Sequence, residues 1–432
     1  MNNMEQIHFK QLKETLNCKT LENGLKVFIL EKKDFNKTYA TFTTNYGSVD
    51  NHFVPLGKNE PVKVPDGIAH FLEHKLFEKE HGDVFQDFSK QGASANAFTT
   101  FKRTAYLFST TGDVEKNLTT LIDFVQAPYF TEKTVEKEKG IIGQEIRMYD
   151  DNPDWRVYFG LIASMYQNHP VSIDIAGTVE SIAKITKDDL YECYETFYHP
   201  SNMLLFIVGP VDAEKIMDLV EKNQAGKDYK DKPPIERFFD EEPAQPAKRK
   251  EVLNMPVQTP KCYMGYKEKR PKRQGKELLL RELSVNLLLE MMFGKSTKNY
   301  EKLYNDGLID PSFSFDYTEE QGYGFSMIGG DTTDPDAFAD TISRMVEDFK
   351  KTDINQEDLE RARKKKIGSF LRALNSPEFI ANQFTRYEFN GMNLFDVIPT
   401  FEDLTAAHLE KALSDHFQDS QLTICQVKKK QS

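Results

Sequence analysis

The 432-residue sequence predicts an α+β protein built from two homologous domains, each a mainly antiparallel sheet covered by helices. Short apolar runs next to turn signals near the amino terminus are typical of strands, and later segments repeat apolar residues with the helical period of about 3.6. Two short motifs also recur in the same order in the second half of the chain. Together these observations indicate a duplicated unit of strands and helices, roughly 200 residues long.

Strands are predicted where short apolar or alternating runs meet turn residues. Asn23-Gly24 is a turn signal ahead of an apolar run, and Gly47 ends a run of alternating β-formers. A hairpin is predicted further along the chain, with Phe101-Lys102-Arg103 as its connection. The strands predicted in this part of the sequence are 25–30, 38–46, 94–100 and 104–109.

Helices are predicted where the apolar period changes from two to about 3.6. Asp66-Gly67 offers an N-cap for the first helix, over 68–74. Two further helices are predicted over 114–127 and 131–150. Asn152-Pro153 ends the second of these, because a residue before proline avoids the α region.

The internal repeat is visible in two pairs of segments. Residues 186–205 predict a capped helix followed by a strand, and residues 405–422 predict the same pair 219 positions later. The helical segment 142–147 is similar to 367–372, which lies 225 positions further on. Two ordinary amphipathic helices with chance identities are the alternative explanation.

A change of composition predicts the domain boundary. The chain becomes charged and proline-rich between about 222 and 250, which is typical of a linker. We therefore predict an amino-terminal domain over 1–225, a linker over 226–250 and a related carboxy-terminal domain over 251–432. An extended strap on the protein surface would have the same composition.

Composition and charge exclude several classes of protein. With 68 acidic and 56 basic residues the formal charge is −12, which argues against non-specific nucleic-acid binding. The amino terminus lacks the apolar core of a signal peptide, and charged residues interrupt the most apolar stretch, 278–293, so no membrane span is expected. We expect a cytoplasmic protein, because a reducing compartment suits four widely separated cysteines, Cys18, Cys193, Cys262 and Cys425.

The segment His70-Phe71-Leu72-Glu73-His74 carries the main candidate chemistry. On a helix, His70 and His74 lie one turn apart on one face, where two imidazoles can bind a single tetrahedral ion. Glu73 is near enough to accept a proton from a water bound to that ion. The order His-x-x-Glu-His is the inverted zinc-peptidase signature. A surface helix that carries two histidines by chance is the alternative.

A metal site of this kind needs a third protein ligand, and the helix over 131–150 offers two glutamates. Glu138 and Glu145 are seven residues apart, or two turns, and so share a face. A buried carboxylate requires a partner or a metal. We expect Glu145 to point inward because its neighbours are apolar, namely Ile141, Ile142, Ile146 and Met148. Glu138 could orient a ligand histidine from behind. Against both expectations, charged residues on helices usually face water.

These motifs resemble those of the pitrilysin, insulinase and mitochondrial processing peptidase family. The resemblance rests on 67–77 and 138–147 and extends to 21–25, 92–99 and 198–202. It implies that one zinc ion per chain is bound by the three candidate ligands, His70, His74 and Glu145. It also implies that Glu73 is the general base and that Glu138 supports the site.

The same resemblance implies a site for a peptide substrate. An extended peptide can add as a strand to an exposed sheet edge, where backbone pairing gives affinity with little demand on sequence. The residues that would hold the peptide lie on the second half of the predicted strand over 94–100, namely Asn96, Ala97, Phe98 and Thr99. An ordinary strand without a ligand is the alternative.

The resemblance also bears on assembly. Larger enzymes of the family contain four such domains, as two bowls around a chamber, so a chain with two domains is half of a clamshell. This implies a homodimer or a heterodimer with a related subunit. The Arg and Tyr that grip substrate in the family's complementary half have no counterpart here, and Phe370 stands where a second Glu145 would fall. A partner chain that completes the site is therefore favoured.

The resulting hypothesis is a zinc metalloendopeptidase that cleaves peptides or short unstructured segments within a dimeric chamber. Glu73 would assist the attack of zinc-bound water on the peptide bond. One alternative is a non-catalytic peptide-binding or scaffold subunit of a heteromeric complex, which would not need Glu73. Another is a metal hydrolase that acts on a non-peptide bond, which the strand at Asn96 disfavours.

Overall fold

Strands and helices alternate along the residues that the computed structural model describes, 4–80, 82–229, 234–269 and 271–430. Part of the predicted linker, 230–233, lies outside these described residues. The strands, numbered in chain order, are β1 (Glu5–Phe9), β2 (Glu14–Thr20), β3 (Lys26–Glu31), β4 (Thr38–Thr44), β5 (His52–Phe53), β6 (Val62–Lys63), β7 (Glu78–Lys79), β8 (Gly82–Asp83), β9 (Ala93–Thr99), β10 (Thr104–Thr110), β11 (Met203–Gly209), β12 (Lys250–Met255), β13 (Lys261–Tyr266), β14 (Ser314–Glu320), β15 (Tyr323–Asp331) and β16 (Leu422–Lys429).

The α-helices are numbered in the same way. They are α1 (Ile68–Leu76), α2 (Phe85–Lys90), α3 (Val114–Val125), α4 (Glu132–Asp150), α5 (Pro153–Met165), α6 (Val179–Ile182), α7 (Lys187–Phe197), α8 (Ala213–Ala225), α9 (Gly275–Phe293), α10 (Lys298–Asn305), α11 (Pro335–Phe349), α12 (Gln356–Ala373), α13 (Pro377–Phe389), α14 (Val397–Asp403) and α15 (Ala406–His416). The predicted strands and helices of the first 150 residues are confirmed, with ends that differ by a few residues.

The first sheet joins seven strands in the order β1-β2-β3-β11-β4-β10-β9. Neighbouring strands are antiparallel, except that β3 and β11 run parallel. Strand β11 is buried along its whole length, which explains its unbroken apolar sequence, since both faces are covered. Helices α3, α8 and α13 pack on this sheet. Strand β9 ends it, with β10 as its one strand neighbour among the described residues.

The second sheet has the order β12-β16-β13-β15-β14, and β12 and β16 form its one parallel pair. Helices α5, α9 and α11 pack on its strands. The topology repeats that of the first sheet, because β3, β4, β9, β10 and β11 correspond in order to β12, β13, β14, β15 and β16. The predicted α+β fold with two related, mainly antiparallel sheets is therefore confirmed.

The described chain divides into two compact units, each containing one of these sheets. Unit 1 comprises residues up to Ile146, Asp174–Phe239 and Ala373–Phe389. Unit 2 comprises Arg147–Ile173, Asp240–Arg372 and residues from Asn390 onward. Helix α5 of the first half thus belongs to unit 2, and α13 of the second half belongs to unit 1. The limits at 225 and 250 were predicted from a change of composition, and they stay a prediction.

Helices α1 and α9 differ from the sequence-based expectation in one detail and agree with it in another. Gly67, rather than Asp66, occupies the N-cap of α1 with a left-handed φ of 88°, and no side chain caps the helix. A Cβ atom at Gly67 would lie 2.4 Å from the Ala176 carbonyl oxygen, so glycine is required there on two counts. The apolar stretch 278–293 forms most of the buried helix α9. Within the described ranges, no helix is both long and apolar enough to cross a membrane.

Candidate metal centre

Helix α1 places the two histidines of the motif side by side. Its apolar residues are buried and it packs against β9, β10 and α7. His70 and His74 lie one turn apart on the remaining face, with imidazole centroids 4.6 Å apart. The packing of this one helix thereby sets the backbone positions of both histidines.

Helix α4 brings a carboxylate to the same point. Glu145 Oε1 lies 3.8 Å from His70 Nε2, and Glu145 Oε2 lies 3.6 Å from His74 Nε2. One ligand atom from each of the three side chains lies within 4.8 Å of the other two. This is the one group of its kind found in the described part of the chain. The structure therefore brings together the three residues that the sequence analysis selected as metal ligands.

The geometry fits a tetrahedral ion. Separations of 3.6 and 3.8 Å are too long for hydrogen bonds between the imidazoles and the carboxylate. Ligand atoms that each lie about 2.0–2.1 Å from a zinc ion are about 3.3 Å apart, which is close to these separations. Two imidazole nitrogens and one carboxylate are also a ligand set of catalytic zinc sites, which leave a fourth position open.

Glu138 contacts the far side of the His74 ring. His74 Nδ1 donates a hydrogen bond to Glu138 Oε1 over 3.1 Å, while Nε2 faces Glu145. Burial alone would raise the pKa of Glu138, but the bond and charge of His74 outweigh it, so the pKa lies below its usual value. Burial likewise opposes a charge on His74, and the hydrogen bond to Glu138 outweighs it and raises the pKa of His74. Glu138 therefore lies where a residue that orients a ligand histidine would lie.

His70 is held differently. Its Nδ1 atom is buried and has no hydrogen-bond partner within the described residues. Burial, together with the neighbouring His74, lowers the pKa of His70 to about 4. The ring is therefore neutral at neutral pH, as a metal-binding imidazole must be.

Glu73 lies on the same turn as His74 and is only 8% exposed. The Thr99 hydroxyl of β9 donates a hydrogen bond to Glu73 Oε2 over 2.5 Å. Burial raises the pKa of Glu73 to about 7, against the opposing effects of this bond and of His74. A carboxyl group with a pKa near neutrality is suited to accept and return a proton.

The edge strand β9 has backbone groups that pair with no neighbouring strand among the described residues. Thr100 N–H donates to the Arg103 carbonyl over 2.8 Å, so residues 100 and 103 form a hydrogen-bonded pair. Hydrogen-bonded pairs alternate along antiparallel strands, so the polar backbone groups of Ala97 and Thr99 point away from β10. The Ala97 N–H instead donates to the Asn96 side chain over 2.9 Å.

The other predicted substrate residues have side-chain contacts of their own. Phe98 is half-buried, and its ring centroid lies 5.9 Å from the Arg103 guanidinium. The Thr99 hydroxyl contacts Glu73 rather than facing an open groove. The sequence analysis missed this contact, because it placed Thr99 on the strand but had no signal that the strand packs against helix α1.

The prediction that Glu145 lies among buried apolar neighbours was partly wrong. Ile142 and Ile146 are buried, but Ile141 is 45% and Met148 is 60% exposed. Glu145 itself is only half-buried, and it lies on the face between the core and solvent. The Glu145 side chain points toward the histidines because of where α4 lies, and not because apolar residues surround it.

Sequence models of one peptidase family match most of the chain. The model described as "Insulinase (Peptidase family M16)" matches residues 54–179, which include all five residues of the candidate centre. The model described as "Peptidase M16 inactive domain" matches residues 184–366.

Individual proteins are similar over nearly the full length. The uncharacterized zinc protease YmfH of Bacillus subtilis (strain 168) is 64% identical over 421 residues, which cover 98% of each chain. The zinc protease PqqE of Helicobacter pylori is 26% identical over 94% of this chain and 90% of its own. The crystal structure of an M16-like peptidase from Alicyclobacillus acidocaldarius, 41% identical, superposes with a TM-score of 0.93 over 96% of this chain and 98% of that one. The chain therefore belongs to the insulinase family of peptidases, as its motifs and its two sheets of the same topology indicate.

Proposed function

We propose that this chain is a zinc metalloendopeptidase that cleaves peptides or short unstructured segments. The observation that carries the proposal is the convergence of His70 Nε2, His74 Nε2 and the Glu145 carboxylate on one point, with Glu73 beside it. The names of the similar zinc proteases support zinc as the metal. When bound, zinc would polarise the scissile carbonyl and acidify the attacking water.

The residues of the centre have distinct roles in this proposal. His70, His74 and Glu145 hold one ion per chain, and Glu138 fixes the His74 ring. Glu73 accepts a proton from the attacking water and returns it to the leaving amine, a role for which a pKa of about 7 is suitable. The same carboxyl group can serve in both steps because it is buried next to the reacting position.

The substrate would bind as an added strand along β9. Ala97 and Thr99 offer outward-pointing backbone groups there, and backbone pairing requires no particular peptide sequence. Asn96 Oδ1 accepts the Ala97 N–H, so its side chain must turn away when a peptide takes its place. The site residues of the proposal are therefore Asn96, Ala97, Phe98 and Thr99, of which Ala97 and Thr99 contribute through their backbone.

A dimer is part of the proposal, either of two identical chains or with a related subunit, around a chamber that excludes folded proteins. The resemblance implies an Arg and a Tyr seven positions apart, and the second half lacks such a pair. Seven positions after Arg372 stands Phe379, and seven after Arg386 stands Asn393. A related subunit would supply the pair. A cytoplasmic location is also proposed, because all four cysteines are free in the described structure.

The substitution Glu73→Gln tests the proposal. It should abolish cleavage of a mixed peptide library while the zinc content stays near that of the unsubstituted chain. Glu136→Gln is the matched control, because Glu136 is an exposed glutamate on α4 and should retain both properties. The assay is run with the chain alone and with any related subunit that co-purifies with it.

Each result has a clear meaning. Undiminished turnover by the Glu73→Gln variant would refute the role of Glu73. A chain that binds zinc and peptide but never cleaves, even with its partner, would support the alternative of a non-catalytic scaffold subunit.

A further inference from the structure

The Thr99 hydroxyl forms a contact that the proposed mechanism does not use. Thr99 is the last residue of the edge strand β9, and its Oγ1 lies 2.5 Å from Glu73 Oε2 on α1. It is the one hydrogen-bond donor to the Glu73 side chain within the described part of the protein. A buried carboxyl group with a single donor depends on that donor for its orientation.

The surroundings of Thr99 direct its hydroxyl hydrogen to Glu73. Thr104, directly opposite on β10, has its Oγ1 3.4 Å from Thr99 Oγ1, which is much farther than the Glu73 oxygen. Thr104 donates in turn to the Tyr46 carbonyl over 3.0 Å, and its own side chain is completely buried. The Thr99 rotamer is therefore held between a fixed neighbour and the carboxylate.

From this geometry we infer that Thr99 is a positioning residue, which aligns Glu73 through its hydroxyl while its backbone pairs with the peptide substrate. The inference rests on the proposed function. One residue then joins the strand that binds the peptide to the group that moves the proton. Thr99 would thus hold both the substrate, through its backbone, and Glu73, through its hydroxyl. A small error in the position of one relative to the other lowers the reaction rate strongly.

A substrate contact is the competing role for the hydroxyl, and the two roles predict different kinetics. A hydroxyl that binds the peptide would raise KM when it is removed. If the hydroxyl aligns Glu73, its removal would lower kcat and leave KM unchanged, because the backbone of residue 99 stays in place.

The kinetic test compares Thr99→Val, which keeps the shape but removes the donor, with Thr99→Ser, which keeps the donor. We expect Thr99→Val to lower kcat about 10- to 100-fold at unchanged KM and zinc content. Thr99→Ser should restore kcat to within about threefold. Thr119→Val, on α3, removes an exposed threonine hydroxyl that donates to the Glu115 carbonyl, and it should change neither constant. A raised KM, or an undiminished kcat in the valine variant, would overturn the inference.

A folding measurement tests the contact without any activity. The denaturation midpoint is measured for Thr99→Val, for Glu73→Ala and for the double variant. We expect Thr99→Val to lower the midpoint only when Glu73 is present, because the carboxyl group then loses its donor. Additive shifts would overturn the inference. If the unsubstituted chain never cleaves peptide, the proposed function fails, and this cycle still decides whether Thr99 holds Glu73.

Discussion

Glu138 fixes the His74 imidazole from behind, through a 3.1 Å hydrogen bond between Glu138 Oε1 and His74 Nδ1. In the neutral ring this bond places the proton on Nδ1, so the lone pair lies on Nε2, which faces Glu145. A carboxylate behind a ligand histidine sets both the tautomer and the orientation of the ring. His70 has no equivalent partner among the described residues, so the two histidines are supported unequally.

This inequality makes Glu138 the more sensitive support of the centre. We expect Glu138→Gln to weaken zinc binding about 10- to 100-fold, since the amide is a weaker and uncharged acceptor for the His74 N–H. Zinc affinity is measured by competition with a chelator of known strength. Glu136→Gln on the same helix, where the side chain is exposed, should bind zinc as the unsubstituted chain does. Equal affinities for all three proteins would show that Glu138 does not support His74.

The free edge of β9 leads to a prediction about substrate affinity. Ala97→Pro removes the outward N–H, which proline cannot supply, but an edge strand tolerates proline on its unpaired side. We expect KM for peptides to rise about 10-fold while zinc content and the midpoint of thermal unfolding stay nearly unchanged. Ala97→Ser keeps the N–H and should behave like the unsubstituted chain. An unchanged KM in the proline variant would argue against strand addition along β9.

The spacing of the motif carried most of the information about the centre, because it is local. His70, Glu73 and His74 belong to one helix, so the helical period alone predicts which side chains share a face. The helical period could not predict that α4 lies beside α1, because Glu145 follows His74 by 71 positions in the sequence. The resemblance to a family identified Glu145 as the third ligand. The apolar neighbours expected around Glu145 did not explain its orientation, since two of them are exposed.

Other features could not be predicted from one sequence. The contact between Thr99 and Glu73 requires the exact crossing of a strand and a helix, which no periodic pattern specifies. The assignment of α5 and α13 to the opposite compact units likewise depends on packing, because an amphipathic helix fits many apolar surfaces. The internal repeat, in contrast, was visible in the sequence as two pairs of similar segments. It appears in the structure as two sheets of the same topology.

Unit 2 contains a buried charged cluster around Glu319. The Glu319 side chain is fully buried, accepts hydrogen bonds from Tyr317 and Arg273, and lies near Glu268. Burial raises the pKa of Glu319 to about 7, although these two bonds oppose the rise. Burial also acts on Glu268, but hydrogen bonds from His416 and Arg281 outweigh it and hold its pKa far below the usual range. Glu268 therefore stays ionised near neutral pH, while Glu319 titrates there.

The raised pKa of Glu319 predicts how stability depends on pH. A carboxyl group whose pKa is higher in the folded state stabilises the fold fully below its unfolded value of about 4.3 and loses this contribution as the pH rises through 7. Glu319→Gln stays neutral at every pH, so its free energy of unfolding relative to the unsubstituted chain should increase by about 1–3 kcal/mol between pH 5 and pH 8. Denaturant unfolding across this range measures the difference.

Effects of His416, whose pKa burial lowers, are common to both proteins and cancel. Glu301→Gln, at an exposed glutamate on α10, should show no such increase. A flat difference for Glu319→Gln would mean that Glu319 is ionised throughout.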